Sequence, residues 1–351
     1  MKAALFYGGK DIRVGDVPTP KPGPGEVLVR VLAAGICGSD LHGYRDPSRA
    51  MGREVPYLSG HELAGVVAEV GEGVTNVKVG QRVGVEPGHL LGCGHCRFCL
   101  RGDYQLCPEI GIVNGKRVHS TGFAEYSLEK AHKVFPLPDH VVMEEAGFLD
   151  VYACAVHALH LAPVTPSDYV VVQGAGPIGL TAAELFRLGG AKDVIILDVL
   201  DSSLEAAKKM GFTSLVNSAK VDPVEAVMDL TEGYGATVVV EAVGGNAPTF
   251  ETDCKIVGRG GQVLVIGMFA KPQSLDMRLL QRKEAMVHLA WSYGLWNGVP
   301  EFKIALDLLA AGKLRAADYI THIFPLDQIA EGFAAADNKV QSGAIKVIIK
   351  P

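Results

Sequence analysis

In Tyr169-Val170-Val171-Val172-Gln173-Gly174-Ala175-Gly176-Pro177-Ile178-Gly179 an apolar, β-branched run gives way to a G-x-G-x-x-G and then to a helical pattern. A strand this apolar is buried on both faces, as strands of a parallel sheet are. Gly174 permits the tight turn, Gly176 lets the backbone approach a pyrophosphate, and Gly179 lets the next helix pack closely on the sheet. Pro177 and Ile178 open that helix, whose unpaired N–H groups face the anion. Strand, loop and helix in this order predict a dinucleotide site.

The same rhythm continues downstream. The helix runs from Pro177 to about Leu188 and stops at Gly189-Gly190. A strand Val194–Leu197 follows, then a helix Leu204–Met210 with Ser202 and Glu205 as its capping box and Gly211 as its C′ residue. Val238–Val240 and Val263–Ile266 supply two more buried strands. This alternation predicts an α/β, doubly wound parallel sheet. Nineteen positions beyond Gly179, Asp198 ends the second strand. Its carboxylate can accept the adenosine ribose hydroxyls and would repel a 2′-phosphate, and Val199–Ser203 offers no Arg or Lys to bind one, so NAD is favoured over NADP. Val243, past the strand Val238–Val240, and Ile266, at the end of Val263–Ile266, are expected to complete the cofactor site.

Residues 1 to about 150 read differently: short β-like runs such as Glu26–Leu32 and Leu63–Val70, separated by Pro- and Gly-rich turns, predict a β-rich, barrel-like domain. In the tail, Pro300 precedes a helix with Phe302, Ala305, Leu308 and Leu309 on its apolar face and Gly312 as its stop, and Ala344–Ile349 closes as a strand. The 351 residues suggest about two domains, and 48% hydrophobic with 21% charged content excludes a disordered chain. With 33 basic against 39 acidic residues, no basic face marks a nucleic-acid partner. The most apolar window, 169–186, contains too many Gly and polar residues for a membrane span, and the first residues do not read as a signal peptide. The expected compartment is the cytoplasm.

Four of the seven cysteines crowd together: Cys93, Cys96, Cys99 and Cys107 form C-x2-C-x2-C-x7-C. Four thiolates at this spacing can close around one zinc ion as a structural site; an iron–sulfur cluster is the competing reading. His95 lies between them and is expected to be an exposed loop residue. Cys154 and Cys254 read as buried thiols, and His157 and His160 as packing residues. Taken singly, Cys37 and His61 would be packing residues too.

Gly60-His61-Glu62-Leu63-Ala64-Gly65, continuing to Gly71 and Val74, resembles the zinc signature of the medium-chain alcohol dehydrogenases. Cys37-Gly38-Ser39-Asp40-Leu41-His42, the four-cysteine lobe, the glycine fingerprint and the closing Ser342–Val347 occur in that family's order. The likeness covers essentially the whole chain and is strongest to the polyol and secondary-alcohol branch. It implies a GroES-like β-rich catalytic domain (1–153), an inserted Rossmann NAD-binding domain (154–292) and a return to the first (293–351). It also implies Cys37 and His61 as ligands of a catalytic zinc, Asp150 as the third, and Glu62 as an intermittent ligand or a carboxylate just behind the ligands. Ser39 and His42 become the proton relay of a reversible alcohol oxidation with hydride transfer to NAD, two zinc ions per chain and a homodimer or homotetramer. Residues 41–56, Gly88–Leu91 and Trp291–Val299 are expected to line the substrate space without specifying the alcohol. Rival readings are a threonine-type amino-alcohol oxidation, a zinc-independent alkene reductase and a non-catalytic nucleotide binder.

Overall fold

The computed structural model describes residues 1–46, 48 and 54–351, so part of the expected substrate segment 41–56 lies outside the described residues. The chain divides into two compact units, Met1–Asp150 with Asn297–Pro351, and Val151–Trp296. The crossings thus fall at 150 and 296 rather than at 153 and 292. The first lies inside the helix Leu149–Leu161, a continuous apolar run with no turn residue to mark a boundary.

The second unit is built on six parallel strands in the order Leu215–Asn217, Asp193–Asp198, Tyr169–Gln173, Ala236–Glu241, Val257–Val265 and Met286–Leu289. Strand order reverses at Tyr169–Gln173, and ligands of such sheets bind beyond the carboxyl ends of the strands at this switch point. Val170, Val171 and Val172 are completely buried, which is why their run is uniformly apolar. The following helix is Pro177–Leu188, with Pro177 at its first position and Gly190 left-handed just past its end.

The next helix begins earlier than its capping box suggests. It spans Asp201–Lys209 with Leu200 at the N-cap, so Ser202 caps nothing. The start is set instead by Asp198, whose Oδ1 accepts the Leu200 N–H at 2.8 Å, and by Lys220 and Asn217, which hold Asp201. Gly211 does take the left-handed conformation expected of a C′ residue.

In the first unit a sheet runs Ile320–Pro325, Lys346–Lys350, Glu26–Gly35, Glu62–Val70, Arg82–Val85, Val134–Pro136, with Tyr126–Lys130 also paired to Glu26–Gly35. The long antiparallel pair sets Gly35 opposite Glu62. That register brings the chain just after residue 35 and just before residue 62 to one end of the sheet, where Ile348 also pairs with Gly35. In the tail helix Glu301–Ala310, Leu306 rather than Leu308 is fully buried beside Phe302, Ala305 and Leu309; the helix packs on a broader face than the expected stripe. Among the described residues no helix is long and apolar enough to cross a membrane.

One buried acid in this unit predicts a pH effect. Glu129 accepts hydrogen bonds from Ser127 Oγ (2.5 Å) and Ser120 Oγ (3.0 Å), and Ser120 Oγ in turn accepts the Gly88 N–H. Burial outweighs both donors and pushes the Glu129 acid up to about 7, from 4.5 when exposed. A raised acid stabilises the fold below its unfolded pKa and loses that contribution as pH climbs to the folded value. Stability should therefore fall by about 3 kcal/mol between pH 4.5 and 7 on account of this group. In Glu129→Gln that part of the slope should vanish in urea titrations; an unchanged slope would assign it elsewhere.

Candidate active site and metal centres

Cys37 caps the helix Gly38–Arg45, and its N–H donates to Asp40 Oδ2 at 3.1 Å. His61 follows Gly60, whose φ of +101° and close approach to the Phe123 nitrogen leave no room for a Cβ. The Gly122 and Phe123 N–H groups bond to the carbonyls of Gly60 and Ser59, which pins the turn before the strand Glu62–Val70. Cys37, His61 and Glu62 thereby converge: one ligand atom from each lies within 4.8 Å of the others. Asp150, in the first turn of its helix, brings Oδ2 to 3.9 Å from His61 Nε2.

The other face of the His61 ring meets Asp40, with Oδ1 at 3.8 Å from Nδ1. Asp40 is buried and held by Ser59 Oγ at 2.7 Å. Carboxylates thus flank both ring nitrogens, Asp40 at Nδ1 and Asp150 at Nε2, and a carboxylate beside the non-ligating nitrogen is what orients a metal-binding imidazole. Burial works against a charged ring here, but Asp40, Cys37 and Asp150 together outweigh it and hold His61 well above the usual imidazole range. A cluster that draws a proton so strongly is one that suits a cation. Glu62 adds a direct sign: it is 1% exposed, one oxygen pairs with Lys346, and Oε1 is buried with no partner. One thiolate, one imidazole and carboxylates fit zinc.

Ser39 and His42 lie three apart on the helix Gly38–Arg45, both half-buried, hence on one side of it. His89 places its ring edge-on to His61 at 5.2 Å.

In the lobe, one sulfur from each of Cys93, Cys96, Cys99 and Cys107 lies within 4.8 Å of the rest. Backbone N–H groups point at these sulfurs: Cys96 N to Cys93 Sγ at 3.4 Å, Cys99 N to Cys96 Sγ at 3.5 Å, Cys93 N to Cys107 Sγ at 3.4 Å. The Cys99 N–H lowers the Cys96 thiol to about 7, whereas burial pushes Cys99 up to about 12. Such uneven thiols, packed together, fit a cation that takes the charge of all four. His95 is exposed; Cys93 O meets its Nδ1 at 3.0 Å, and its ring lies within 4.8 Å of ligand atoms of Cys93 and Glu109.

At the glycine loop, Gly174 has φ +101° and a Cβ there would strike Val243 Cγ2 at 2.7 Å. A Cβ on Gly179 would collide with the Gly174 carbonyl oxygen, so helix and loop touch through their backbones. Gly176 differs: a Cβ would meet nothing within 4 Å, leaving open space in front of the helix start. That open cradle fits a pyrophosphate. Asp198 accepts the Ala175 N–H at 2.7 Å on Oδ2, bracing the loop it was expected to serve only through ribose. Val243 and Ile266 lie just past the carboxyl ends of Ala236–Glu241 and Val257–Val265.

Known proteins share this combination. The family model of the alcohol dehydrogenase GroES-like domain matches residues 23–139, and that of the zinc-binding dehydrogenase matches 177–311. Sorbitol dehydrogenase of Bacillus subtilis (strain 168) is 31% identical, covering 100% of this chain and 97% of its own. The chain belongs to the zinc-type medium-chain alcohol dehydrogenases. An L-threonine 3-dehydrogenase of Pyrococcus abyssi is 36% identical to this dehydrogenase over 95% of the chain and 93% of its own length. Among solved structures, a short chain alcohol dehydrogenase of E. coli CFT073, complexed with NADH, matches with a TM-score of 0.88 and 27% identity (100% of this chain, 99% of that one). A zinc-binding dehydrogenase of Sinorhizobium meliloti 1021, described as putative and bound to NADP, matches at 0.87 and 28% (100% and 99%).

Three partnerships around the candidate sites escape sequence reasoning. Asp40 sits inside a quoted segment but shows its role only beside His61. Lys346 reaches Glu62 across 284 residues. Lys220, absent from the segment after Asp198, is brought to Asp201 at 2.7 Å by the fold. A charged residue in an otherwise apolar closing strand was the one available signal, at Lys346.

Proposed function

We propose that this alcohol dehydrogenase oxidises a polyol or secondary alcohol to a ketone, reversibly, with NAD as hydride acceptor. The observation that carries the reading is the donor set Cys37, His61 and Glu62, with its orphaned Glu62 oxygen and with carboxylates at both nitrogens of His61. Cys37, His61 and Asp150, with Glu62 in reserve, would hold a zinc ion, which would supply the Lewis acidity that lowers an alcohol's pKa, as bound NAD would supply the hydride acceptor. Asp40 keeps Nε2 of His61 facing the donors. Ser39 takes the alcohol proton, and His42, one turn further along the helix, passes it toward water. The four lobe cysteines would hold a second, structural zinc, their four sulfurs serving as its ligands.

NAD rather than NADP is favoured by charge. Asp198 ends its strand where the ribose lies in such folds, and Lys220, which the fold brings to the start of the next helix, is paired with Asp201 at 2.7 Å. Asp198→Ala should narrow the preference for NAD over NADP by about tenfold in kcat/KM, about 1.4 kcal/mol. A wild type that already prefers NADP would refute this assignment.

The test of the whole reading is NAD reduction on zinc-loaded protein over polyols, diols, hydroxy-amino acids and secondary alcohols. No turnover on any alcohol would overturn it. Threonine belongs in the panel because relatives named L-threonine 3-dehydrogenase reach 36% identity. Ser39→Ala should lower kcat by about 100-fold while zinc content and NADH affinity stay the same; unchanged turnover would remove Ser39 from the relay.

A further inference from the structure

Thr249 and Asp253 stand four residues apart on the helix Thr249–Ile256, and so share a face. Thr249 Oγ1 donates to Glu241 Oε1 at 2.9 Å, which turns that face toward the carboxyl end of the strand Ala236–Glu241. Glu241 and Asp253 are both 0% exposed. Glu241 Oε1 also accepts the N–H groups of Val243 and Gly244, each at 3.0 Å. Its Oε2, and both oxygens of Asp253, are buried with no hydrogen-bond partner. Residue 267 is glycine where a Cβ would collide with Glu241 Oε2.

Two carboxylates buried this completely, one on a helix packed against the strand that ends in the other, cannot both keep a charge. A hard cation would need about six oxygens, and these two side chains offer three orphaned ones among the described residues. Nor, among the described residues, does a basic side chain bond to either. Lys283, on the packed helix Met277–Lys283, spends its Nζ on the carbonyls of Cys254, Lys255 and Val257. The neighbouring Cys254 thiol is pushed up to about 11 by burial and by Asp253, with Lys283 opposing and Asp276 and Glu251 adding weakly. A proton is the remaining answer. It belongs on Asp253, because Glu241 already has three donors and Asp253 has none.

We propose that Asp253 is a positioning residue for the cofactor loop: as a neutral carboxylic acid it donates its proton to Glu241 Oε2. The completed Glu241 carboxylate then fixes Gly244 and Val243, the latter beside Gly174. Burial first, and the charge of Glu241 second, push the Asp253 acid well above the ordinary carboxyl range, the direction this requires. The inference rests on the nucleotide-site reading of that loop.

Asp253→Asn keeps a donor, whereas Asp253→Leu removes it. NADH binding, followed by fluorescence, should stay within about twofold of wild type in the first and weaken about tenfold in the second, with kcat at saturating NAD unchanged. Wild-type affinity in Asp253→Leu, or equal weakening in both variants, would overturn the proposal. Should Asp253→Leu not fold, urea titrations of Asp253→Asn decide alone. An acid raised above its unfolded value of 3.8 makes the wild-type unfolding constant climb about tenfold per pH unit above 4 relative to the amide variant. Parallel curves would overturn it. Wild type that binds no NADH would instead sink the nucleotide reading and leave this stability arm intact.

Discussion

Lys346→Met destabilises the folded chain by about 3–5 kcal/mol, read as a shift in urea midpoint at unchanged m-value. Lys346 and Glu62 are each 1% exposed, and the ammonium is shared between Glu62 Oε2 and the Ile36 carbonyl, with the Phe148 ring 5.0 Å away. The room for this pair comes from Gly35, where any Cβ would collide with the Glu62 carboxylate. Removing the lysine leaves a buried carboxylate with neither oxygen satisfied, since Oε1 already lacks a partner. Two further results separate this cause from lost packing. Glu62→Gln in the same chain should recover much of the loss, because the uncompensated charge goes with it. Saturating zinc should also offset more of the loss in Lys346→Met than it adds to wild type, because a freed Glu62 lies among the other donors. If the double variant is no more stable than the single one, the pair does not act as described here.

The contrast between what was and was not legible follows from where each signal lives. Tyr169–Gln173 and Pro177–Leu188 match the sequence reading residue for residue, because β-branched runs, Pro at the first helical position and paired glycines act locally. The helix Asp201–Lys209 departs from it because Asp198, Lys220 and Asn217 set its start, and two of these come from elsewhere in the chain. Cys37 and His61 carry little information alone; the Gly35–Glu62 register unites them. Asp40, Lys346 and Asp253 are the residues least visible in advance. Their roles depend on desolvation and on partners in other elements, so neither spacing nor residue type exposes them.

Two glycines in one loop should fail in opposite ways. Gly179→Ala drives a methyl group into the Gly174 carbonyl oxygen, backbone against backbone, with Ala242 Cβ 3.3 Å away on the other side. Neither neighbour can rotate aside, so the helix must lift from the sheet. The expected cost is about 1–3 kcal/mol of stability, together with loss of NADH binding. Gly176→Ala is the control for the chemistry. Gly176 has φ −80°, which alanine adopts freely, and its Cβ would meet nothing within 4 Å. Folding should be unaffected, to within about 0.5 kcal/mol. Yet the methyl group would stand in the space assigned to the pyrophosphate, so NADH affinity should fall at least about tenfold, the equivalent of about 1.4 kcal/mol. Normal NADH binding by a well-folded Gly176→Ala protein would mean that the open space before the helix is not where the cofactor phosphates lie.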